Sequence, residues 1–110
     1  MKYKIVVSGE FEKEFKRLAK RYSSLKDDVS KLGGALLLNP TLGIPIGNGC
    51  YKIRLAISSK GKGKSGGARV ITHVQVTEEF IYLLSIYDKS EVDNIRDAEI
   101  RKRIANIEGT

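Results

Sequence analysis

From Phe11 to Leu36 the apolar residues return every three or four positions, and at Asn39-Pro40 that period ends. This break constrains the fold more than any other feature, because a period near 3.6 buries one stripe of a helix whereas a period of two buries one face of a strand. Phe11, Phe15, Leu18 and Tyr22 form one helical stripe, and Leu25, Val29, Leu32 and Leu36 form a second. Ser8 offers a start to the first helix. Ser24, with Asp27 three residues on, offers a capping-box-like start to the second, and a short turn near Tyr22-Ser23 separates them. Gly33-Gly34 weakens the second helix by about 1 kcal/mol per residue relative to Ala and marks a close contact or an early bend. Ahead of both, Lys2–Val7 alternates weakly and suits a first strand.

Beyond the break, residues 39–49 hold both prolines and three glycines without period and read as a loop. Three strands are then predicted, Cys50–Ser58, Arg69–Thr77 and Phe80–Tyr87. In the first, Tyr51, Ile53, Leu55 and Ile57 face one way and Lys52 and Arg54 the other, so one face is core and the other basic. Lys60–Gly67 reads as a flexible basic hairpin loop and Thr77-Glu78-Glu79 as a tight one. From about Val92 to Ile107, Ile95, Ile100, Ile104 and Ile107 keep loosely helical spacing, with Arg101-Lys102-Arg103 on the far side. The order β-α-α-β-β-β-α describes an α+β domain: two N-terminal helices packed on a small, mostly antiparallel sheet. Its 110 residues suit one domain, 1–110.

Several classes of function are disfavoured. Cys50 is the lone cysteine, so a disulfide scaffold is excluded; with one histidine besides, the chain alone forms no His/Cys zinc site. No loop has calcium spacing, and Gly61, Gly63, Gly66 and Gly67 alternate with lysines rather than forming a nucleotide-phosphate loop, so neither metal nor cofactor is expected. The apolar runs are too short to span a bilayer or to form a signal-peptide core, which makes a cytoplasmic location the expectation.

The formal net charge is +7, and its placement is informative. Residues 1–28 carry eight basic and five acidic groups, residues 78–110 five and eight, and these excesses cancel. Between Asp28 and Glu78 there is no carboxylate, yet Lys31, Lys52, Arg54, Lys60, Lys62, Lys64 and Arg69 lie there. A solvated face is the plain explanation of a charge run, but like charges on neighbouring strands repel, and a cluster of them favours a polyanion. Lys52 and Arg54 lie about 7 Å apart on one strand face. Arg69 opens a neighbouring strand and Lys89 follows the last one. Arg binds phosphate oxygens in bidentate fashion, and crowding among cations pushes a lysine toward the neutral amine, which makes Lys52 a candidate general base. Lys60, Lys62 and Lys64, alternating with glycines, suit a loop that grasps a phosphate backbone without reading bases. His73 reads as an ordinary sheet histidine and Cys50 as a packed thiol.

The run Cys50-Tyr51-Lys52-Ile53-Arg54-Leu55, the strand opening Ser65-Gly66-Gly67-Ala68-Arg69-Val70-Ile71, and Leu83-Leu84-Ser85-Ile86-Tyr87-Asp88-Lys89 together resemble the RelE/ParE superfamily of bacterial toxins. The resemblance covers nearly the whole chain. It implies a toxin of a type II toxin–antitoxin pair, in the RelE branch a metal-independent endoribonuclease that cuts messenger RNA in the ribosome. In that reaction a ribose 2′-OH attacks the adjacent phosphate, giving a 2′,3′-cyclic phosphate and a free 5′-OH. Lys52 takes the place of the family's general base, Arg69 that of the phosphate-stabilising arginine, and Lys89 a position where a basic residue assists. Arg54 stands where RelE has a second lysine and, since a guanidinium does not release its proton, serves as a clamp. The family's catalytic tyrosine has no counterpart near Asn94-Ile95, and Tyr87 is the nearest candidate. The implied partners are a cognate antitoxin protein, the ribosome and mRNA, with DNA reached only through the antitoxin and no membrane. The alternative is a ParE-like, non-enzymatic inhibitor of DNA gyrase on the same fold.

Overall fold

A computed structural model describes residues 2–61 and 63–108. The chain runs β1 (Lys4–Val7), α1 (Gly9–Arg21), α2 (Leu25–Leu38), β2 (Ile44–Gly47), β3 (Cys50–Leu55), a 3-10 turn (Ser58–Lys60), β4 (Ala68–Gln75), β5 (Phe80–Asp88) and α3 (Asp97–Glu108). The sheet order is β1-β5-β4-β3-β2. Every neighbouring pair is antiparallel except β1 with β5, the first and last strands in the chain, which run parallel. The α+β architecture and the predicted order are present, with one strand added.

That strand, β2, lies inside the stretch read as a loop. Pro45 has no N–H to donate, and the ladder to β3 breaks between Pro45 and Gly47. A proline-bearing strand survives only at an edge, where one side needs no partner, so its sequence carries no strand period. Gly43 permits its approach: at φ +105° a Cβ there would lie 2.6 Å from the Lys52 carbonyl oxygen.

Ser8 caps α1, its hydroxyl accepting from the Phe11 N–H at 3.1 Å, while Glu10 and Glu12 at the start and Lys20 and Arg21 at the end complement the helix dipole. The expected cap on α2 is absent. The Ser24 hydroxyl instead donates to Asp28 at 2.8 Å and accepts from the Ser59 N–H at 2.8 Å, and Asp28 accepts from the Ser58 N–H and hydroxyl. These bonds tie α2 to the 3-10 turn. They outweigh the burial that pushes the Asp28 carboxyl up, leaving it below its ordinary value. The helix continues through Gly33-Gly34 to Leu38, and Gly33 approaches Ile5 of β1.

Phe11, Leu18, Leu25, Leu32 and Leu36 pack against Ile53, Val70, Ile81 and Ile86 on one face of the sheet. A side chain of this size contributes roughly 1.5–3 kcal/mol when fully buried. The opposite face is not purely basic: Cys50, Ile71, Leu84 and Tyr87 form a second, smaller core beneath Ile100 of α3. Arg103 holds α3 there and is buried, contrary to the expectation that it shares the far side with Arg101 and Lys102. Its guanidinium makes two parallel bonds to Glu14 of α1 at 2.9 and 3.0 Å, and also donates to the Leu84 carbonyl and to Glu99. Glu14 accepts from the Ser85 hydroxyl and the Ile86 N–H as well, next to the register shift between β4 and β5. Burial opposes the Arg103 charge, yet Glu14 and Glu99 hold its pKa above the ordinary value.

Arg103→Ala leaves the Glu14 carboxylate without its cationic partner, and we expect a loss of about 2–3 kcal/mol. Arg103→Lys recovers only part of it, because an ammonium cannot make the paired bonds. Urea unfolding checks this, and an unchanged midpoint in Arg103→Ala contradicts it.

Candidate functional site

Alternation along β3 sends Lys52 and Arg54 to the face that α3 covers in part, the face of Cys50. Register completes the set. Arg54 lies opposite Arg69, and Arg69 opposite Tyr87, so these three form one row across β3, β4 and β5. Lys52, paired with Ile71, stands in the next row on that face. The residue just before β4 must be a glycine, because a Cβ on Gly67 would lie 2.2 Å from the Leu55 carbonyl oxygen.

The side chains in this row are held differently. Arg69 is buried, with one guanidinium nitrogen donating to the Lys64 carbonyl at 2.9 Å and to its neighbour Ala68 at 3.2 Å. Arg54 is exposed. Tyr87 is buried, and that burial pushes its hydroxyl above the ordinary value despite a backbone hydrogen bond from Ile95 and the Arg69 charge, so it remains a proton donor at neutral pH. Lys52 Nζ donates to the Asn94 side-chain oxygen at 2.8 Å, and the Tyr87 hydroxyl lies 3.5 Å from that same atom. Lys89 donates to both the carbonyl and the carboxylate of Asp93, at 2.8 and 2.7 Å. Those contacts with Lys89, and the Lys52 charge beyond them, hold the Asp93 carboxyl below its ordinary value. The segment before α3 thus joins Lys52, Tyr87 and Lys89. Asn94 escaped the sequence reading because nothing near it in the chain signals that it meets β3.

Among the described lysines of the 60–67 loop, Lys60 and Lys64 are placed differently. Lys60 is drawn away from the expected phosphate-grasping role: its ammonium bonds to the buried Asp88 at 2.8 Å and to Ser90 at 3.0 Å, above the Tyr22 ring. Burial pushes the Asp88 carboxyl up, but Lys60, Tyr22 and Ser90 outweigh it and hold it far below the carboxylate range. Lys62 lies outside the described residues. Lys64 is exposed and, with Lys31, Lys52 and Arg54, borders a groove of about 530 Å³ floored by Leu32 and Ile53. Cys50 is buried 3.5 Å from His73 Nδ1, and desolvation pushes its thiol up to about 11, which leaves it unreactive. Among the described residues no group of His, Cys, Asp and Glu could hold a metal ion, and no helix is long and apolar enough to cross a membrane. A phosphodiester is one anion that suits guanidinium and ammonium groups beside a phenol.

A family model described as the RelE toxin of the RelE/RelB toxin–antitoxin system matches residues 11–107. Among solved structures, a doubly substituted E. coli RelE toxin in the free state superposes with a TM-score of 0.64 at 17% identity, over 97% of this chain and 99% of that one. The same mutant bound to a peptide of the antitoxin RelB gives 0.61 at 19% identity, over 94% and 95%. The isolated E. coli RelE toxin gives 0.60 at 18%, over 96% and 98%.

The Asp88 cluster makes an acid-stability prediction. A carboxyl whose folded pKa is depressed contributes fully above about pH 5, and that contribution is lost as the pH falls through the unfolded and then the folded value. The urea midpoint should therefore drop below about pH 4, and Asp88→Asn should be less stable at neutral pH with a shallower acid limb. An acid limb of unchanged steepness in Asp88→Asn contradicts this.

Proposed function

The chain belongs to the RelE toxin family, and from that premise we propose that it is a ribosome-dependent, metal-independent endoribonuclease acting on messenger RNA and restrained by a cognate antitoxin. What carries the reading is the Arg54–Arg69–Tyr87 row with Lys52 and Tyr87 approaching one oxygen of Asn94. Side chains suffice for each step. Lys52, in its amine form, takes the proton of the ribose 2′-OH, and the freed oxygen attacks the adjacent phosphorus. Charge gathers on the non-bridging oxygens, where Arg54, Arg69 and Lys89 stabilise it. The bond from phosphorus to the 5′ oxygen breaks, and Tyr87, kept protonated by burial, supplies the proton to that leaving oxygen. The products are a 2′,3′-cyclic phosphate and a 5′-OH.

Lys64 on the groove rim offers a further contact to the RNA backbone. An acidic antitoxin segment would complement the uninterrupted basic middle of the chain, and the E. coli RelE structure with its antitoxin peptide supports an antitoxin partner.

The test is purified protein in a translating extract, with RNA ends mapped chemically. We expect 2′,3′-cyclic phosphate and 5′-OH ends, and roughly 100-fold slower cleavage in Lys52→Ala and in Arg54→Ala. Arg54 is exposed, so that variant should fold normally. New ends absent from the messenger, together with blocked supercoiling by DNA gyrase, would overturn the ribonuclease and favour the ParE-like alternative.

A further inference from the structure

We propose that Asn94 is a positioning residue for the cleavage reaction, its amide oxygen directing the Lys52 amine and the Tyr87 hydroxyl toward one point without adding charge. The proposal rests on the ribonuclease reading of the site. The Lys52 contact is 2.8 Å and spans 42 residues of sequence, while Tyr87 stands 3.5 Å from the same atom, at the edge of hydrogen-bond range. Asn94 is anchored on both sides. Asp93 before it is gripped by Lys89 through two oxygens, and Ile95 after it packs into the apolar cluster with Tyr87 and Ile100. Asn94 itself is exposed. A solvent-exposed hydrogen bond between a half-buried lysine and an exposed neutral amide adds little to stability, so its consequence is direction.

The chemistry of the two neighbours is divided. The carboxylate at 93 hydrogen-bonds Lys89, the cation whose proposed task is to neutralise phosphate charge, whereas the amide at 94 meets Lys52, the proposed base. A carboxylate in direct contact with Lys52 would favour the ammonium, which cannot take a proton. An amide accepts one N–H and leaves the amine's remaining directions to the substrate. Around Lys52 stand Arg54 on β3, Arg69 on β4, Tyr87 and Lys89 at the end of β5, Asp93 before α3, and Lys31, Lys64 and Asp28 about the groove.

The experiment measures cleavage by the full chain on assembled ribosomes, comparing Asn94→Ala, Asn94→Gln and Asn94→Asp in the wild-type and Lys52→Ala backgrounds. Asn94→Ala should lower kcat roughly tenfold or more with little change in KM, Asn94→Gln should restore part of it, and Asn94→Asp should move the acid limb of kcat about one pH unit higher. In Lys52→Ala the substitution to Ala should cost clearly less than in the wild-type background, because only the longer Tyr87 contact is then left to lose. Wild-type kcat and pH profile in Asn94→Ala, or an equal fold-loss in both backgrounds, would overturn the proposal. Should the wild-type chain cut no RNA, the ribonuclease reading falls separately, and an NMR titration of the Lys52 ε-carbon decides the contact. A midpoint raised by about one unit in Asn94→Asp supports it, and an unmoved midpoint rejects it.

Discussion

Arg54 and Arg69 face one another across β3 and β4, and two cations in directly opposed positions destabilise a sheet. The rest of the site is arranged around that repulsion. Arg69 is buried with carbonyl oxygens as its acceptors, Lys89 is matched by Asp93, Lys52 by a neutral amide, and Arg54 alone of the four is exposed, its guanidinium meeting no acceptor among the described residues. Carboxylates that could neutralise the row are engaged elsewhere: Asp88 with Lys60, Glu14 with Arg103, and Asp28 with the serines of the 3-10 turn. That repulsion is what the phosphate of the proposed substrate would relieve.

The scaffold fixes the row from both sides of the sheet. On one face the helical stripes of α1 and α2 supply the larger core, and on the other α3 covers a smaller one. Glu14 links the two, since it takes the Arg103 guanidinium from α3 and also the Ile86 N–H from β5. The docking of α3 sets the start of that helix, and the residues just before it are Asp93 and Asn94, which meet Lys89 and Lys52. Packing in one part of the molecule thereby determines which atoms border the proposed phosphate site.

Periodicity made most of this fold legible. The two helical stripes, the Ser8 cap, the alternation of β3 and the order of elements are all local consequences of where apolar and capping residues fall. What escaped depends on contacts distant in sequence. β2 has only four residues, one a proline, and exists because β3 offers it an edge. Arg103 lies in a basic triplet that looks solvated until Glu14 is brought beneath it. Ser24 resembles a cap in sequence but serves Asp28 and Ser59. For the site, register alone aligns Arg54, Arg69 and Tyr87, and strand spacing supports it; the pairing of Lys60 with Asp88 and the contact of Asn94 with Lys52 are invisible in sequence because the partners lie 28 and 42 residues apart.

The central claim is that this row of cations holds one scissile phosphate. It is tested most directly by the structure of the full chain with an RNA carrying a 2′-deoxy sugar at the cleavage position, which binds but cannot react. The account predicts a phosphate within hydrogen-bond distance of the Arg54 and Arg69 guanidinium groups, its 2′ carbon toward Lys52. An RNA seated on another face, with Arg54 in solvent and Lys52 still turned only to Asn94, would contradict it.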